Sequence, residues 1–296
     1  MTTERVSRRL PDWLKKTIPA GPEAGRVREL LKDLRLRTVC QSALCPNIVE
    51  CFHHGTATFL IMGPNCTRAC RFCAVDKGQI APLEADEPDR IAEAARLMGL
   101  SHVVVTSVTR DDLADGGAEH FARTITAIRA VCNATIEVLV PDFRGSAESV
   151  RTVVEAGPNV FNHNVETVPR AYPAVRPEAD YRRSLEVLKA AADIAASRQD
   201  GAAPFATKSG IMVGVGETLD EVVDVFKDLC AAGCSIVTVG QYLAPSKRHL
   251  PVERFVKPDE FEEMRQIALM MGFTAALSGP FVRSSYHAGE VFSAGK

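Results

Sequence analysis

From residue 57 onward, short apolar runs alternate with longer amphipathic stretches. The runs 57–62, 102–108, 135–140, 160–165, 205–213 and 235–242 are apolar and rich in β-branched residues, which predicts strands. Between and after them, 87–98, 118–131, 147–156, 181–197, 219–232 and 258–271 carry apolar residues at helical spacing. Asp86 or Glu87, Ser146 and Thr218 supply N-cap chemistry, and Gly99, Gly157, Gly233 and Gly272 stand where helices should end. Regular repetition of strand then helix implies a parallel sheet with right-handed crossovers. Six such units, rather than eight, predict an α/β fold: a partial, open (β/α)6 TIM-like barrel over residues 55–272.

The flanks break this pattern. Residues 1–54 read as an N-terminal extension with one helix over 22–37, where Val27, Leu30, Leu31 and Leu34 form a stripe, and with Trp13 as a packing anchor. Residues 273–296 form a C-terminal tail, and the polar and aromatic stretch 277–290 has neither period. Composition alone favours a frayed end there over a functional return. Within the barrel, polar residues gather at the carboxyl ends of the strands: Thr106 to Asp111, Asp142, Asn162 to Glu166, Lys208 and Gln241. That rim is where barrel folds place their chemistry.

Composition narrows the classes. A hydrophobic share of 46% over 296 residues is enough for a sizeable core, and a net charge of -2 argues against a general nucleic-acid partner. No apolar run approaches the roughly 20 residues of a membrane span, and residues 1–10 are charged with no apolar segment behind them. A soluble, cytoplasmic protein is expected, by default a monomer. Nine cysteines, an odd number in a long chain without an export signal, then read as reduced thiols.

Six of those thiols fall into two groups. Cys66, Cys70 and Cys73 lie on a Gly, Pro and Asn-flanked loop directly after the first predicted strand. Three thiolates under-fill a tetrahedral zinc site, but they leave one iron of a [4Fe–4S] cube open for another ligand. Cys40, Cys45 and Cys51 form a second group whose spacing matches no common zinc finger. Cys132, Cys230 and Cys234 read as small core residues, the last two on one helical face, and His53, His54 and His163 as polar packing groups.

The Cys66-x3-Cys70-x2-Cys73 spacing, with Phe72 before the last thiol, resembles the radical S-adenosylmethionine (SAM) enzymes. In those enzymes SAM fills the open iron and is cleaved to a 5'-deoxyadenosyl radical. Within that superfamily the chain closely resembles the lipoyl synthases. The matching runs include Pro11 to Lys15, Cys45-Pro-Asn-Ile, Gly55 to Phe59, Arg110 to Ala118, Phe161 to Thr167, Gly240 to Ser246 and Gly279 to Ala288.

The resemblance implies insertion of two sulfur atoms at C6 and C8 of an octanoyl chain held on a lysine of a carrier protein, H protein or an E2 lipoyl domain. It implies two [4Fe–4S] clusters: one on Cys66, Cys70 and Cys73, and an auxiliary, sulfur-donating one on Cys40, Cys45, Cys51 and a tail serine. Ser284 is favoured over Ser285 for that last ligand. Asp115, Gly116, Gly117, Asn164 and Glu166 are implied SAM contacts, with Gly214 in a strand beside adenine, Gln241 on the rim, and Lys208 or Arg176 toward the SAM carboxylate. For Arg176 a surface salt bridge is an equal expectation. A low-potential electron donor and a cluster-assembly or carrier protein are implied partners. The chain departs from the family at Pro64-Asn65, Val49 and Phe52, none of them a ligand. A biotin-synthase-like activity is disfavoured by the second cysteine group and the Arg-Ser-Ser-Tyr tail. The two clusters should face each other across a gap that admits an octanoyl chain.

Overall fold

The computed structural model describes residues 9–17, 19, 21–198 and 204–294. Residues 1–8, most of the segment read above for an export signal, lie outside them. Eight strands form one open sheet in the order β1 to β8: Arg37–Thr38, Thr58–Ile61, His102–Ser107, Thr135–Leu139, Val160–Asn162, Ala206–Val213, Ile236–Gln241 and Ala275–Gly279. β1 pairs antiparallel with β2, and every later pairing is parallel.

The six predicted strands are β2 to β7. β1 and β8 extend the sheet into the expected extension and tail. β1 is too short to show a period, and β8 (Ala-Ala-Leu-Ser-Gly) lacks the β-branched residues that mark the others.

Helices α1 to α3 precede the barrel (Glu23–Asp33, Val39–Ser42 and Ile48–His53). α4 to α6 (Glu87–Leu97, Ala118–Val131, Ala147–Glu155), α7 (Tyr172–Val175) and α8 to α10 (Tyr181–Ala196, Leu219–Ala231, Pro258–Met270) connect the strands. α11, Ala288–Ala294, ends the described chain. The end signals work as expected: Ser146 and Thr218 cap α6 and α9 through side-chain bonds. Gly99, Gly157, Gly233 and Gly272 take left-handed φ of 62°, 84°, 77° and 103°. Asp86 occupies the α4 N-cap without a side-chain bond. Cys234 lies beyond Gly233 and outside α9, so it does not share a helical face with Cys230.

Register fixes what faces the barrel interior. Leu60, Thr106, Leu139, Asn162, Lys208, Ile236 and Ala275 form one line across β2 to β8, and side chains on one line share a face. The opposite face, with Phe59, Val105, Val138 and Phe161, packs on the helices, and these residues are fully buried.

The tail is ordered. Val282 O approaches β7 so closely that a Cβ on Gly240 would lie 2.2 Å from it, which only glycine avoids. Farther on, α11 covers the amino ends of the strands, where Val291 and Phe292 pack with Val160, Ile236 and Ala275. Three strands begin at these last three residues, so the tail closes the barrel floor. Among the described residues no helix is long and apolar enough to cross a membrane.

Candidate active site between two cysteine groups

The Cys66 to Cys73 loop is stapled across the carboxyl ends of several strands. Thr67 N–H donates to Thr109 O (3.0 Å) and Arg71 N–H to Val175 O (2.9 Å), while Leu250 N–H donates to Arg71 O (2.9 Å). The sulfur of Cys66 accepts from the backbone N–H of Thr109 (3.3 Å) and Arg68 (3.5 Å). At the loop's base, Asn65 Nδ2 donates to Gln79 O (2.8 Å), so the departure at Pro64-Asn65 still closes the loop.

Arg68 is the main fastener. Its buried guanidinium donates to both oxygens of Asp111 (2.7 and 2.9 Å) and both of Asp142 (3.0 and 2.6 Å). Burial disfavours the Asp142 charge, but Arg68 outweighs it and holds the pKa down at about 2. An ammonium cannot serve two carboxylates on two loops with this planar geometry. Arg68→Lys is therefore expected to cost about 1–2 kcal/mol in anaerobic urea unfolding and to speed iron loss from the catalytic cluster; a variant indistinguishable from the parent would refute the role.

The second group sits on α2, the following turn and α3. Cys45 N–H bonds to Cys40 O (3.0 Å) and Cys51 N–H to Asn47 O (2.9 Å). Asn47 Nδ2 also donates to Phe281 O (2.7 Å), tying this loop to the tail. Lys16 gathers the third party: its ammonium donates to Asn47 Oδ1 (2.8 Å), pairs with Glu50, and lies 4.8 and 5.0 Å from the ring centres of Phe281 and Tyr286. Tyr286 O–H closes the circle on Glu50 Oε1 (2.8 Å). Trp13 anchors the same arm through Val256 O (3.1 Å). Arm, cysteine loop and tail thus meet, although they are distant in sequence.

The two serines diverge. Ser285 Oγ accepts from Thr58 Oγ1 at 2.8 Å, and Thr58 is near enough to the Cys40 thiol to offset in part the rise that burial gives its pKa. Ser284 instead turns to β5, accepting from Asn162 Nδ2 (2.9 Å) and donating to Asn164 Oδ1 (2.8 Å). Ser285 therefore lies on the side of Thr58 and Cys40, whereas Ser284, the ligand favoured from the sequence, lies on the side of Asn162 and Asn164.

Asn164 Nδ2 donates to Glu166 Oε1 (3.1 Å), and Gly210 makes room, since a Cβ there would stand 2.8 Å from Asn164 Oδ1. Glu166 has φ 66°; burial pushes its pKa up, with Arg176 acting against that. Arg176 is buried, not a surface salt bridge. It donates to Asn164 O (2.9 Å), its charge is felt by Cys70, and its Nε has no hydrogen-bond partner among the described residues. Glu166 and Arg176, joined to each other through Asn164, thus stand within reach of the Cys70 charge.

Asp115, Gly116 and Gly117 lie between β3 and α5, packed against Met62 and Phe143. Asp115 accepts from Gly117 N–H and Glu119 N–H (both 2.9 Å), starting α5, and a Cβ on Gly117 would strike the Met62 sulfur at 2.2 Å. Other implied contacts are placed elsewhere. Lys208 lies deep in the lumen on Glu137 (2.9 and 3.0 Å). Gln241 spends its amide on Val213 O, Tyr242 O, Arg254 O and Val256 N–H. Gly214, at φ 95°, packs against that amide. His163 bonds Val140 O and Ser184 Oγ, and burial pulls its pKa down to about 4, as befits a packing group. A cavity of about 540 Å³ outside the loop has a charged lining that includes Arg68, Asp112, Arg144 and Glu178, unsuited to an acyl chain.

Do these thiols fit clusters? Burial pushes Cys51 and Cys73 up to about 12, and raises Cys40 and Cys70 as well. Iron supplies the positive charge that such thiols need to ionise. Among the described residues no three His, Cys, Asp or Glu side chains are gathered around one ion. A cube, which takes each thiolate at a different iron, suits a wider spacing.

The profile of the radical SAM superfamily matches residues 60–229, and that of the N-terminal domain of lipoyl synthase of the radical SAM family matches residues 2–45. Lipoyl synthase from Caldanaerobacter subterraneus subsp. tengcongensis is 55% identical over 280 residues, covering 95% of this chain and 96% of that one. The chain belongs to the lipoyl synthase family. Lipoyl synthase from Chlorobium limicola is 51% identical over 98% of this chain and 97% of its own. The fold is shared more widely: the FeFe-hydrogenase maturase HydG from Carboxydothermus hydrogenoformans superposes with a TM-score of 0.59 at 13% identity, covering 91% of this chain and 68% of that one. As a lipoyl synthase the protein is a radical SAM, sulfur-inserting enzyme with [4Fe–4S] clusters and SAM as cofactors, and it acts on octanoylated carrier protein.

Sequence reasoning missed Lys16, Asn47 and Arg68 as working residues, and set Asp142 on the rim without naming its partner. Asn47 stands inside the matching run Cys45-Pro-Asn-Ile and Arg68 inside the cysteine loop, but only contacts reveal what they hold.

Proposed function

We propose the following division of labour. Cys66, Cys70 and Cys73 hold the catalytic cluster, and Cys40, Cys45, Cys51 and Ser285 hold the auxiliary one. When bound, these groups supply one-electron cleavage of SAM and the sulfur for C6 and C8 of the octanoyl chain. The protein's own residues do the rest. Asn164 and Glu166 take polar atoms of SAM, and Arg176, whose buried Nε has no hydrogen-bond partner among the described residues, takes its carboxylate. Lys208, Gly214 and Gln241 support this site from the lumen wall and the β6–β7 turn without touching SAM. Residues 1–54 and 273–296 act as one unit that brings the auxiliary cluster to the barrel of 55–272. The carrier, H protein or an E2 lipoyl domain, presents its lysine at the rim, in the cytoplasm, and the enzyme works as a monomer with a low-potential electron donor and an assembly protein that rebuilds the spent cluster.

The observation that carries this reading is the tail. Its Ser285 is hydrogen-bonded to Thr58, which lies beside Cys40, and its Ser284 to Asn164, which holds Glu166 within reach of the Cys70 charge. Anaerobic enzyme should hold about eight irons per chain and convert an octanoyl-lysine carrier peptide, followed by mass spectrometry, to its dithiolated form. Arg176→Lys keeps the charge but loses the planar fork, and should raise the SAM dissociation constant about tenfold. Unchanged SAM affinity, or no thiolated peptide from enzyme with full iron content, refutes the respective assignment.

A further inference from the structure

We propose that Ser284 is a positioning residue: it latches the tail to β5 and thereby aims Ser285 at the auxiliary cluster. The inference rests on Ser285 being that cluster's fourth ligand. The hydrogen-bond directions around Ser284 are determined by its neighbours. Lys208 holds Glu137 as a buried carboxylate, and Glu137 Oε1 takes one amide proton of Asn162 (2.8 Å). Turning that amide over would set oxygen against carboxylate, so Nδ2 must face Ser284 as a donor.

On the other side Asn164 gives its Nδ2 to Glu166, leaving Oδ1 to accept. Ser284 therefore receives one bond from Asn162 and gives its proton to Asn164, and its hydroxyl is committed in both directions. A hydroxyl so committed is a poor candidate to lose its proton to iron, but a good clamp. Ser285 is the contrast: among the described residues its hydroxyl has one hydrogen-bond partner, Thr58. Ser284 and Ser285 are the two central residues of a turn closed by Tyr286 N–H on Arg283 O (2.9 Å), and their hydroxyls diverge, so clamping Ser284 on β5 leaves Ser285 on Thr58 of β2.

The buried Lys208–Glu137 pair fits this role. Buried ion pairs contribute little net stability and are best understood where they set a register. Here the pair sets which way Asn162 points.

The test uses 57Fe-loaded, anaerobic full-length enzyme and its Ser284→Ala, Ser284→Thr and Ser285→Ala variants. Iron release to a chelator and the Mössbauer signature of an oxygen-bound iron are both recorded. Ser284→Ala should keep the signature yet release auxiliary-cluster iron about tenfold faster. Ser284→Thr, which restores the hydroxyl, should return most of the parent's rate. Ser285→Ala should lose the signature. If it does, and Ser284→Ala releases iron at the parent rate, the latch is overturned while the ligand assignment stands. If the signature vanishes in Ser284→Ala and survives in Ser285→Ala, the ligand assignment fails and the latch with it.

Discussion

Lys208→Met is expected to destabilise the enzyme by about 3–5 kcal/mol in anaerobic urea unfolding at neutral pH. Lys208 and Glu137 have side-chain exposures of 1% and 0%, with Lys208 Nζ 2.9 and 3.0 Å from the carboxylate oxygens. Removing the ammonium strands a carboxylate where water does not reach; Asn162 and the His102 ring, 3.6 Å away, are its remaining neighbours. Glu137→Gln on top of Lys208→Met removes the stranded charge but keeps the contact to Asn162, and should recover more than half of the loss. The pH dependence follows from the same geometry. Burial opposes the charge of Glu137, yet Lys208 and then His102 outweigh it and pull the pKa from 4.5 to about 2. A depressed carboxylate contributes stability that is present above its unfolded value and disappears as pH falls through the folded one. The parent should thus lose this contribution between about pH 4.5 and 2. In Lys208→Met the carboxyl titrates upward instead, so the deficit relative to the parent should shrink as pH is lowered from 7 toward 4. A deficit below 1 kcal/mol, or one that grows on acidification, would contradict this account.

The barrel was legible because each of its strands carried its own signal. β2 to β7 are apolar, and the helices between them announce their ends through Ser146, Thr218 and the glycines at 99, 157, 233 and 272. The tail was illegible for the opposite reason. Its order comes from partners more than 200 positions away, Asn47 with Phe281 and Glu50 with Tyr286, and no local period records them. Lys208 shows a subtler limit. Its place in a strand was clear, but whether a buried lysine reaches a ligand or a carboxylate depends on which residue stands across the lumen, and Glu137 lies 71 positions earlier. Gln241 fails similarly: a polar residue at a strand's carboxyl end reads as rim chemistry, whereas pleat alternation turns it outward to hold the segment around Arg254 and Val256.

The two cysteine groups should separate cleanly by substitution. Cys66→Ala is expected to abolish reductive SAM cleavage, followed as 5'-deoxyadenosine, and with it all thiolated product. Cys45→Ala should retain SAM cleavage and still make no dithiolated carrier. Each variant should hold about four irons per chain in place of about eight. The reasoning is positional. Cys66 accepts from the backbone N–H of Arg68 in its own loop and of Thr109 after β3, so its loss would remove a firmly held thiolate from the cluster that this loop would hold. Cys45 lies on the other side of the tail, near the half-buried Arg283. No hydrogen bond of the Arg68 network passes through it, so the catalytic loop should not register its removal. SAM cleavage surviving in Cys66→Ala would remove the catalytic cluster from that loop. Dithiolated product from Cys45→Ala would instead mean that sulfur comes from somewhere other than the arm, loop and tail that Lys16, Asn47 and Tyr286 hold together.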